Sequence, residues 1–161
     1  MFNYILEELV HRRALIKDNC HHKHICALFD KNNNLIVSAE NVNKIKGSYH
    51  SEHNALEKLF RKTRNKGKNN RKRLIKITAL ILKVSSTGIK LGMSKPCIRC
   101  INNMSYLPQK YGYRIHDVIY SNKDGTLTYT TLNKLLQEGS YFTKYDVDHN
   151  YKSRVKNVAA I

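Results

Sequence analysis

Residues 96–100, Pro-Cys-Ile-Arg-Cys, and residues 50–52, His-Ser-Glu, are the two segments that decide how this 161-residue sequence is interpreted. The first is predicted to open a helix after a buried strand, and the second opens one after a polar loop. Cys97 and Cys100 are three residues apart, so in the first turn of a helix both thiols can reach one ion. Zinc favours thiolate and imidazole ligands in a tetrahedral arrangement, and His50 offers the imidazole.

The cysteine pair alone would also fit a structural zinc site or a redox dithiol. Neither alternative explains why a histidine and a glutamate open another helix. Residues two apart lie about 200° around a helix axis, so His50 and Glu52 share a site only where the helix begins. His53 lies on the same helix face as His50 and is an alternative ligand.

The hydrophobic pattern of the rest of the chain predicts the elements around these two segments. It predicts helices at residues 2–17, 49–63, 96–107 and 131–137, and strands at residues 24–30, 35–39, 74–84, 117–121 and 126–131. Loops are expected at residues 41–49 and 85–95, and Pro96 is expected as the first residue of its helix. This order indicates an α/β fold with one mixed sheet and helices on its faces. We expect one domain over residues 1–161, with an insertion at 61–73 and a C-terminal tail at 141–161 that the pattern does not place.

Composition limits the kind of protein. No apolar run of about 18 residues is present, so no membrane span is expected. The first 17 residues contain Glu7 and Glu8 and do not read as a secretory signal, so we expect a cytoplasmic or nuclear protein, or one packaged in a virus particle. Without secretion, the four cysteines favour a metal or redox role over disulfides.

The chain is strongly basic. Lysine and arginine outnumber aspartate and glutamate by 29 to 12, which gives a formal net charge of +17. Such an excess favours binding of polyanions, chiefly nucleic acid, through phosphate neutralisation. The segment 61–73 contains no acid and is either a solvated insertion or a phosphate-binding strip. Its candidate contacts are Arg61, Lys62, Arg64, Arg71, Lys72 and Arg73.

At residues 50–52 and 96–100 the chain resembles the cytidine deaminase-like superfamily, whose zinc-dependent members carry H-x-E and P-C-x-x-C. The resemblance implies a three-layer α/β/α fold around a five-stranded mixed sheet. It implies that His50, Cys97 and Cys100 bind zinc and that Glu52 moves the proton.

The resemblance also implies substrate contacts. Superfamily members usually hold the sugar or base with an asparagine upstream of the histidine, and here both Asn41 and Asn43 qualify. The main-chain amide of Ser51 would lie close to the reacting carbon.

The last two predicted strands are separated only by residues 122–125, which include the tight-turn pair Asp124-Gly125. So short a connection requires an antiparallel pair. This arrangement resembles the branch that contains free cytidine deaminases, blasticidin deaminases, plant organelle RNA editors and several toxin deaminases.

The expected function is therefore zinc-dependent hydrolytic deamination (class EC 3.5.4) of cytosine, with adenine as the second choice. The substrate would be a nucleoside, a nucleotide or single-stranded nucleic acid. The alternative is a non-catalytic protein of the same fold that binds nucleic acid or forms part of a virion, and a homo-oligomer or larger assembly is compatible with either. A second metal site at Cys20, Cys26 and the histidines between them is a further alternative.

Overall fold

The computed structural model describes residues 2–16, 23–44, 47–64, 73–85, 87, 90–143 and 147, with backbone alone at residues 2, 3, 43, 44, 47 and 48. Its helices are α1 (Phe2–Leu15), α2 (Ser51–Arg64), α3 (Ile98–Tyr106) and α4 (Leu132–Glu138), with a 3₁₀ turn at Pro108–Tyr111. Its strands are β1 (Lys23–Phe29), β2 (Leu35–Glu40), β3 (Val42–Lys44), β4 (Gly47–Tyr49), β5 (Ile75–Val84), β6 (Leu91–Gly92), β7 (Tyr113–Ser121) and β8 (Leu127–Thr131).

The main sheet has six strands, five of which lie in the order β2-β1-β5-β7-β8. Strands β5 and β7 are parallel, and the other neighbours in this order are antiparallel. The predicted antiparallel pairing of the last two strands is confirmed, since Ser121 pairs with Leu127 across the turn. Two additions interrupt predicted loops: β6 pairs with the end of β5, and β3 and β4 form a separate two-stranded hairpin.

Both faces of the sheet are covered, which explains the continuous apolar runs of its central strands. Alternate residues of β1 and β5 point to opposite faces. On one face Leu9 of α1 packs with Ile25, Phe29 and Leu82. On the other face α2, α3 and α4 pack against the sheet; their buried residues are Ala55, Leu56, Leu59, Ile101, Met104, Leu132 and Leu135. The fold is the predicted three-layer α/β/α arrangement.

Helix α3 begins two residues later than predicted. Pro96 lies before the helix and Cys97 occupies the cap position in an extended conformation, with φ −71° and ψ 165°. The reason is a long-range contact: the N–H of Ile98 donates to the carbonyl of Tyr141 at 3.1 Å. The carbonyl of Pro96 in turn accepts a hydrogen bond from Oγ of Ser140 at 2.6 Å.

The basic insertion also begins later than predicted. Arg61, Lys62 and Arg64 belong to the last turn of α2 rather than to a loop. Lysine and arginine are good helix formers, and their charges are favourable at a helix C-terminus. Strand β7, in contrast, begins earlier than predicted, at residue 113 instead of 117, because its first residues pair with the start of β5.

No helix in the described part of the chain is long and apolar enough to cross a membrane.

Candidate metal centre

Three metal-ligating side chains meet where α2 and α3 begin. His50 immediately precedes α2, Cys97 caps α3, and Cys100 lies in the first turn of α3. Nδ1 of His50 is 3.2 Å from Sγ of Cys100 and 3.5 Å from Sγ of Cys97. The ligand atoms of the three residues all lie within 4.8 Å of one another. Within the described residues, this is the group of histidine, cysteine and acidic side chains that could hold a metal ion.

The donor set fits zinc. A tetrahedral zinc ion with Zn–S bonds of about 2.3 Å and Zn–N bonds of about 2.0–2.1 Å separates its nitrogen and sulfur ligands by about 3.6 Å. The observed nitrogen–sulfur distances of 3.5 and 3.2 Å are close to this value. Both cysteines are buried and His50 is half-buried, so the ligands are largely shielded from water.

The fold brings the two helix starts together at one end of the sheet. The loop after β5 leads into α3, while α2 packs across β1 and β2. In α/β sheets, ligand sites lie beyond the carboxyl ends of parallel strands, which is where β5 delivers Cys97. Asn54 fixes the start of α2: its N–H donates to the carbonyl of His50 at 3.1 Å, and its Nδ2 donates to the carbonyl of Glu40 at 2.7 Å.

Hydrogen bonds within the group separate the pKa values of its members. The thiol of Cys100 and the ring of His50 donate to Cys97 and lower the pKa of Cys97 to about 5, against the opposing effect of burial. The same contact with Cys97 raises the pKa of His50 to about 9. The pKa of Cys100 is well above its ordinary value because of its bond to Cys97, its burial and the charge of Glu52. A divalent ion that binds all three residues must displace the protons of His50 and Cys100, so its affinity rises with pH.

Glu52 lies beside this centre and is 5 % exposed. Oγ of Ser51 donates to Oε2 of Glu52 at 3.1 Å. Ser51, Glu52 and His50 line one cavity of about 190 Å³. His53, the alternative ligand, points elsewhere: its Nε2 is 3.4 Å from Oε1 of Glu57. At the start of α2, His50 and Glu52 therefore face the cavity, whereas His53 contacts Glu57.

Of the two candidate asparagines, Asn41 lines the cavity. It is buried, and its Oδ1 accepts hydrogen bonds from the N–H of His24 at 2.8 Å and from Nη2 of Arg13 at 2.9 Å. Arg13 is itself fully buried, so α1 helps to hold Asn41 in place. Asn43 lies in β3, and its side chain is outside the described residues.

Sequence reasoning missed the rest of the cavity wall, which consists of His24, Ser94, Lys95, Tyr141 and Thr143. Tyr141 and Thr143 belong to the tail for which the hydrophobic pattern gave no position. The two hydrogen bonds to Pro96 and Ile98 described above fold this segment over the start of α3. Ser94 and Lys95 carried a signal, since they directly precede the P-C-x-x-C segment.

The four basic candidates that the structure describes do not line the cavity. Arg61 and Lys62 make local contacts: Nη2 of Arg61 is 3.7 Å from Oε2 of Glu57, and Nζ of Lys62 donates to the carbonyl of Ile36 at 2.8 Å. Arg64 and Arg73 are exposed. Arg71 and Lys72 lie outside the described residues, so a nucleic-acid contact in this region stays a prediction.

The second metal site also stays a prediction in part. Cys26 is buried in β1, and its pKa is raised above the ordinary value by burial and by the charge of Glu52. Cys26 therefore packs in the core on the side of α2. Cys20 and the next two residues, His21 and His22, lie outside the described residues.

Comparison with known proteins identifies the fold. No protein-family model matches the sequence, and no curated protein matches it. Among solved structures, cytidine deaminase from Burkholderia pseudomallei superposes with a TM-score of 0.55 at 18% identity, covering 86% of this chain and 99% of that one. Cytidine deaminase from Mycobacterium leprae gives a TM-score of 0.48 at 17% identity, covering 84% and 96%. The chain has the fold of the cytidine deaminase-like superfamily.

Proposed function

We propose that this protein is a zinc-dependent hydrolase that removes the exocyclic amino group of cytosine in a nucleoside, a nucleotide or a nucleic acid, with adenine as the second choice. The observation that carries this proposal is the position of Glu52. Its carboxylate is buried in the same cavity as His50, beside the Cys97–Cys100 pair. A structural zinc site or a redox dithiol needs no carboxylate there.

In this proposal His50, Cys97 and Cys100 hold the zinc ion. Three protein ligands are typical of catalytic zinc sites, which keep one position for water or substrate, whereas structural sites have four. When bound, zinc supplies Lewis acidity, which lowers the pKa of water from about 16 to about 7. The start of α3 favours the thiolate form of Cys97, because the helix dipole stabilises negative charge at a helix N-terminus.

Glu52 carries the proton in the reaction. Hydrolysis joins the oxygen of water to the ring carbon and releases the amino group as ammonia. The carboxylate of Glu52 accepts a proton from water and then delivers it to the base, so that one group acts first as base and then as acid. The hydrogen bond from Ser51 to Oε2 restrains the rotation of this carboxylate.

The size of the cavity limits how much of the substrate it can enclose. Its volume of about 190 Å³ is below the range of about 300–1,000 Å³ that is usual for pockets that enclose drug-sized ligands. A single base fits such a space, and in this proposal the sugar extends toward the cavity mouth. Asn41 is the proposed contact to sugar or base, since it is the upstream asparagine that lines the cavity.

The test combines metal content with ammonia release. Zinc-loaded protein is supplied with cytidine, deoxycytidine, their 5′-monophosphates, adenosine and short single-stranded DNA and RNA. We expect ammonia from at least one cytosine substrate with wild type and none with Glu52→Ala. Glu57→Ala is the matched control, because Glu57 is an exposed acid of the same helix, away from the cavity. One zinc per chain without turnover of any base would refute the proposal.

A further inference from the structure

Lys95 is a cation in the wall of the cavity. Its backbone is fixed on both sides. Before it, the N–H of Ser94 donates to the carbonyl of Ser121 at 2.8 Å, and Oγ of Ser94 donates to the carbonyl of Ile81 at 2.7 Å. After it, the carbonyl of Pro96 accepts the hydrogen bond from Ser140. The main chain of Lys95 is therefore held rigidly beside the metal centre.

The side chain of Lys95, in contrast, forms no ion pair with another residue that the structure describes. No carboxylate in the described part of the chain lies within ion-pair distance of its Nζ. Of the described residues that line the cavity, Glu52 is the single acid, and its Oε2 accepts a hydrogen bond from Ser51. Lys95 is half-buried and has no carboxylate partner among the described residues, so its ammonium group is available to an anionic ligand such as phosphate.

A cavity of this size favours enclosure of the base alone, so an anionic group of the substrate would lie beyond the base. A base that fills the space next to Glu52 leaves its sugar at the mouth. Tyr141 lies in the wall and is 54 % exposed, so the wall reaches solvent on the side of the C-terminal segment. A phosphate attached to the sugar is thus the part of the substrate that can reach a cation of the wall.

We propose that Lys95 binds a phosphate on the sugar of the substrate, so that the site takes a nucleotide, free or within a strand, in preference to a free nucleoside. This proposal rests on the proposed function, since it assumes that the base lies beside Glu52. Lysine is a common phosphate ligand, acting as a compact point charge. The overall charge of +17 adds long-range attraction for the same class of ligand.

The test measures equilibrium binding to zinc-loaded Glu52→Gln protein, in which substrate is not consumed. The quantity of interest is the ratio of the Kd of cytidine to the Kd of cytidine 5′-monophosphate. One charge-assisted contact predicts a ratio of about 10. Lys95→Gln, made in the same background, should bring the ratio close to one. Lys90→Gln should leave the ratio unchanged, because Lys90 is exposed on the other side of β6 and does not line the cavity.

Further ligands distinguish the source of the phosphate. Cytidine 3′-monophosphate and a single-stranded trinucleotide with a central cytosine show whether a free nucleotide or a strand binds best. Equal Kd values for cytidine and all phosphorylated ligands, no measurable binding, or a ratio unaffected by Lys95→Gln would overturn the assignment.

The two proposals can fail separately. If wild type deaminates cytidine and its monophosphate with the same kcat/KM, the role of Lys95 is wrong and the deaminase remains. If no base is deaminated but the ratio depends on Lys95, the phosphate site stands and the proposed reaction fails.

Discussion

Glu52 is the residue on which the proposed chemistry depends most directly. General acid–base groups contribute about 10²–10⁴-fold to a rate, so Glu52→Gln should lower kcat by about that factor. Glutamine has nearly the same shape and can keep the contact with Ser51, so the fold and the zinc content should be unchanged. Steady-state kinetics and metal analysis of the same preparation check both parts. Retention of more than about a tenth of kcat would show that another group moves the proton.

The residues of the centre could be predicted because each has a chemical type and a spacing that the sequence displays. His50, Cys97 and Cys100 form the group, and Glu52 lies beside it. The choice between Asn41 and Asn43 could not be made in this way, since both precede the histidine at plausible distances. Asn41 lines the cavity and is held by hydrogen bonds with β1 and α1, whereas the side chain of Asn43 lies outside the described residues.

Two buried serines tie β5, β6 and β7 to the segment that leads into α3. Oγ of Ser94 donates to the carbonyl of Ile81, and Oγ of Ser121 donates to the carbonyl of Gly92 at 2.6 Å and accepts from the N–H of Lys83 at 3.1 Å. The two hydroxyl oxygens are 2.9 Å apart. The hydrogen bonds of Ser94 and Ser121 hold the segment that leads to Cys97 in place.

We expect Ser94→Ala and Ser121→Ala each to lower the free energy of unfolding by about 1–3 kcal/mol, because each removes a buried hydroxyl group that donates to a main-chain carbonyl. Since the two side chains are in contact, the double variant should lose less stability than the two single variants lose together. The difference is a coupling energy of about 0.5–3 kcal/mol. Urea denaturation of the wild type and three variants measures the cycle. Strict additivity would contradict a shared network.

The β7–β8 hairpin depends on Asp124. Its Oδ1 accepts hydrogen bonds from the N–H of Thr126 at 2.9 Å and from Oγ1 of Thr126 at 2.7 Å. The bonds with Thr126 lower the pKa of Asp124 below its ordinary value. A carboxyl whose pKa is lowered on folding stabilises the fold above its ordinary pKa, and the contribution is lost as the pH falls through the lowered value.

Asp124→Ala should therefore lower the Tm at neutral pH, and the difference from wild type should shrink as the pH falls below about 4. Thermal unfolding of both proteins from neutral to acidic pH gives the comparison. A Tm difference that stays constant to the lowest pH would mean that Asp124 acts through the shape of the turn and not through its charge.

The elements that sequence predicted well are those with a local signal. Asp124 and Gly125 indicate a tight turn, and the antiparallel pairing follows from its length. The start of α3 was misplaced because it depends on Tyr141, a residue distant in sequence. The two-residue strand β6 was missed for the same reason, since it exists only through its pairing with Lys83 and Val84.

At the level of the complete protein, the metal centre connects α2 with α3. Zinc that binds only the folded protein stabilises it by about 4 kcal/mol when its concentration is 1,000-fold above the Kd. Removal of zinc with a chelator should therefore lower the Tm, and added zinc should restore it. His50→Ala should make the zinc-dependent increase in Tm smaller, because Cys97 and Cys100 remain as ligands. His53→Ala should retain it, because His53 contacts Glu57 and not the centre.

The strong positive charge of the whole chain was evident from composition, but its role was not. Lys58 and Lys62 donate to the carbonyls of Ser38 and Ile36 along β2, the edge strand of the sheet. Part of the basic surface thus donates hydrogen bonds to main-chain carbonyls of an edge strand. Composition alone cannot distinguish this role of lysine from phosphate binding.

X-ray absorption at the zinc edge distinguishes a centre made by His50, Cys97 and Cys100 from other zinc sites. The chain has four cysteines, so an all-sulfur structural site is the relevant competitor. A centre made by His50, Cys97 and Cys100 with an open position predicts two sulfur ligands at about 2.3 Å and two nitrogen or oxygen ligands at about 2.0–2.1 Å. His50→Ala should change the nitrogen contribution and leave the sulfur contribution in place. Four sulfur ligands, or a spectrum that His50→Ala does not alter, would contradict the account.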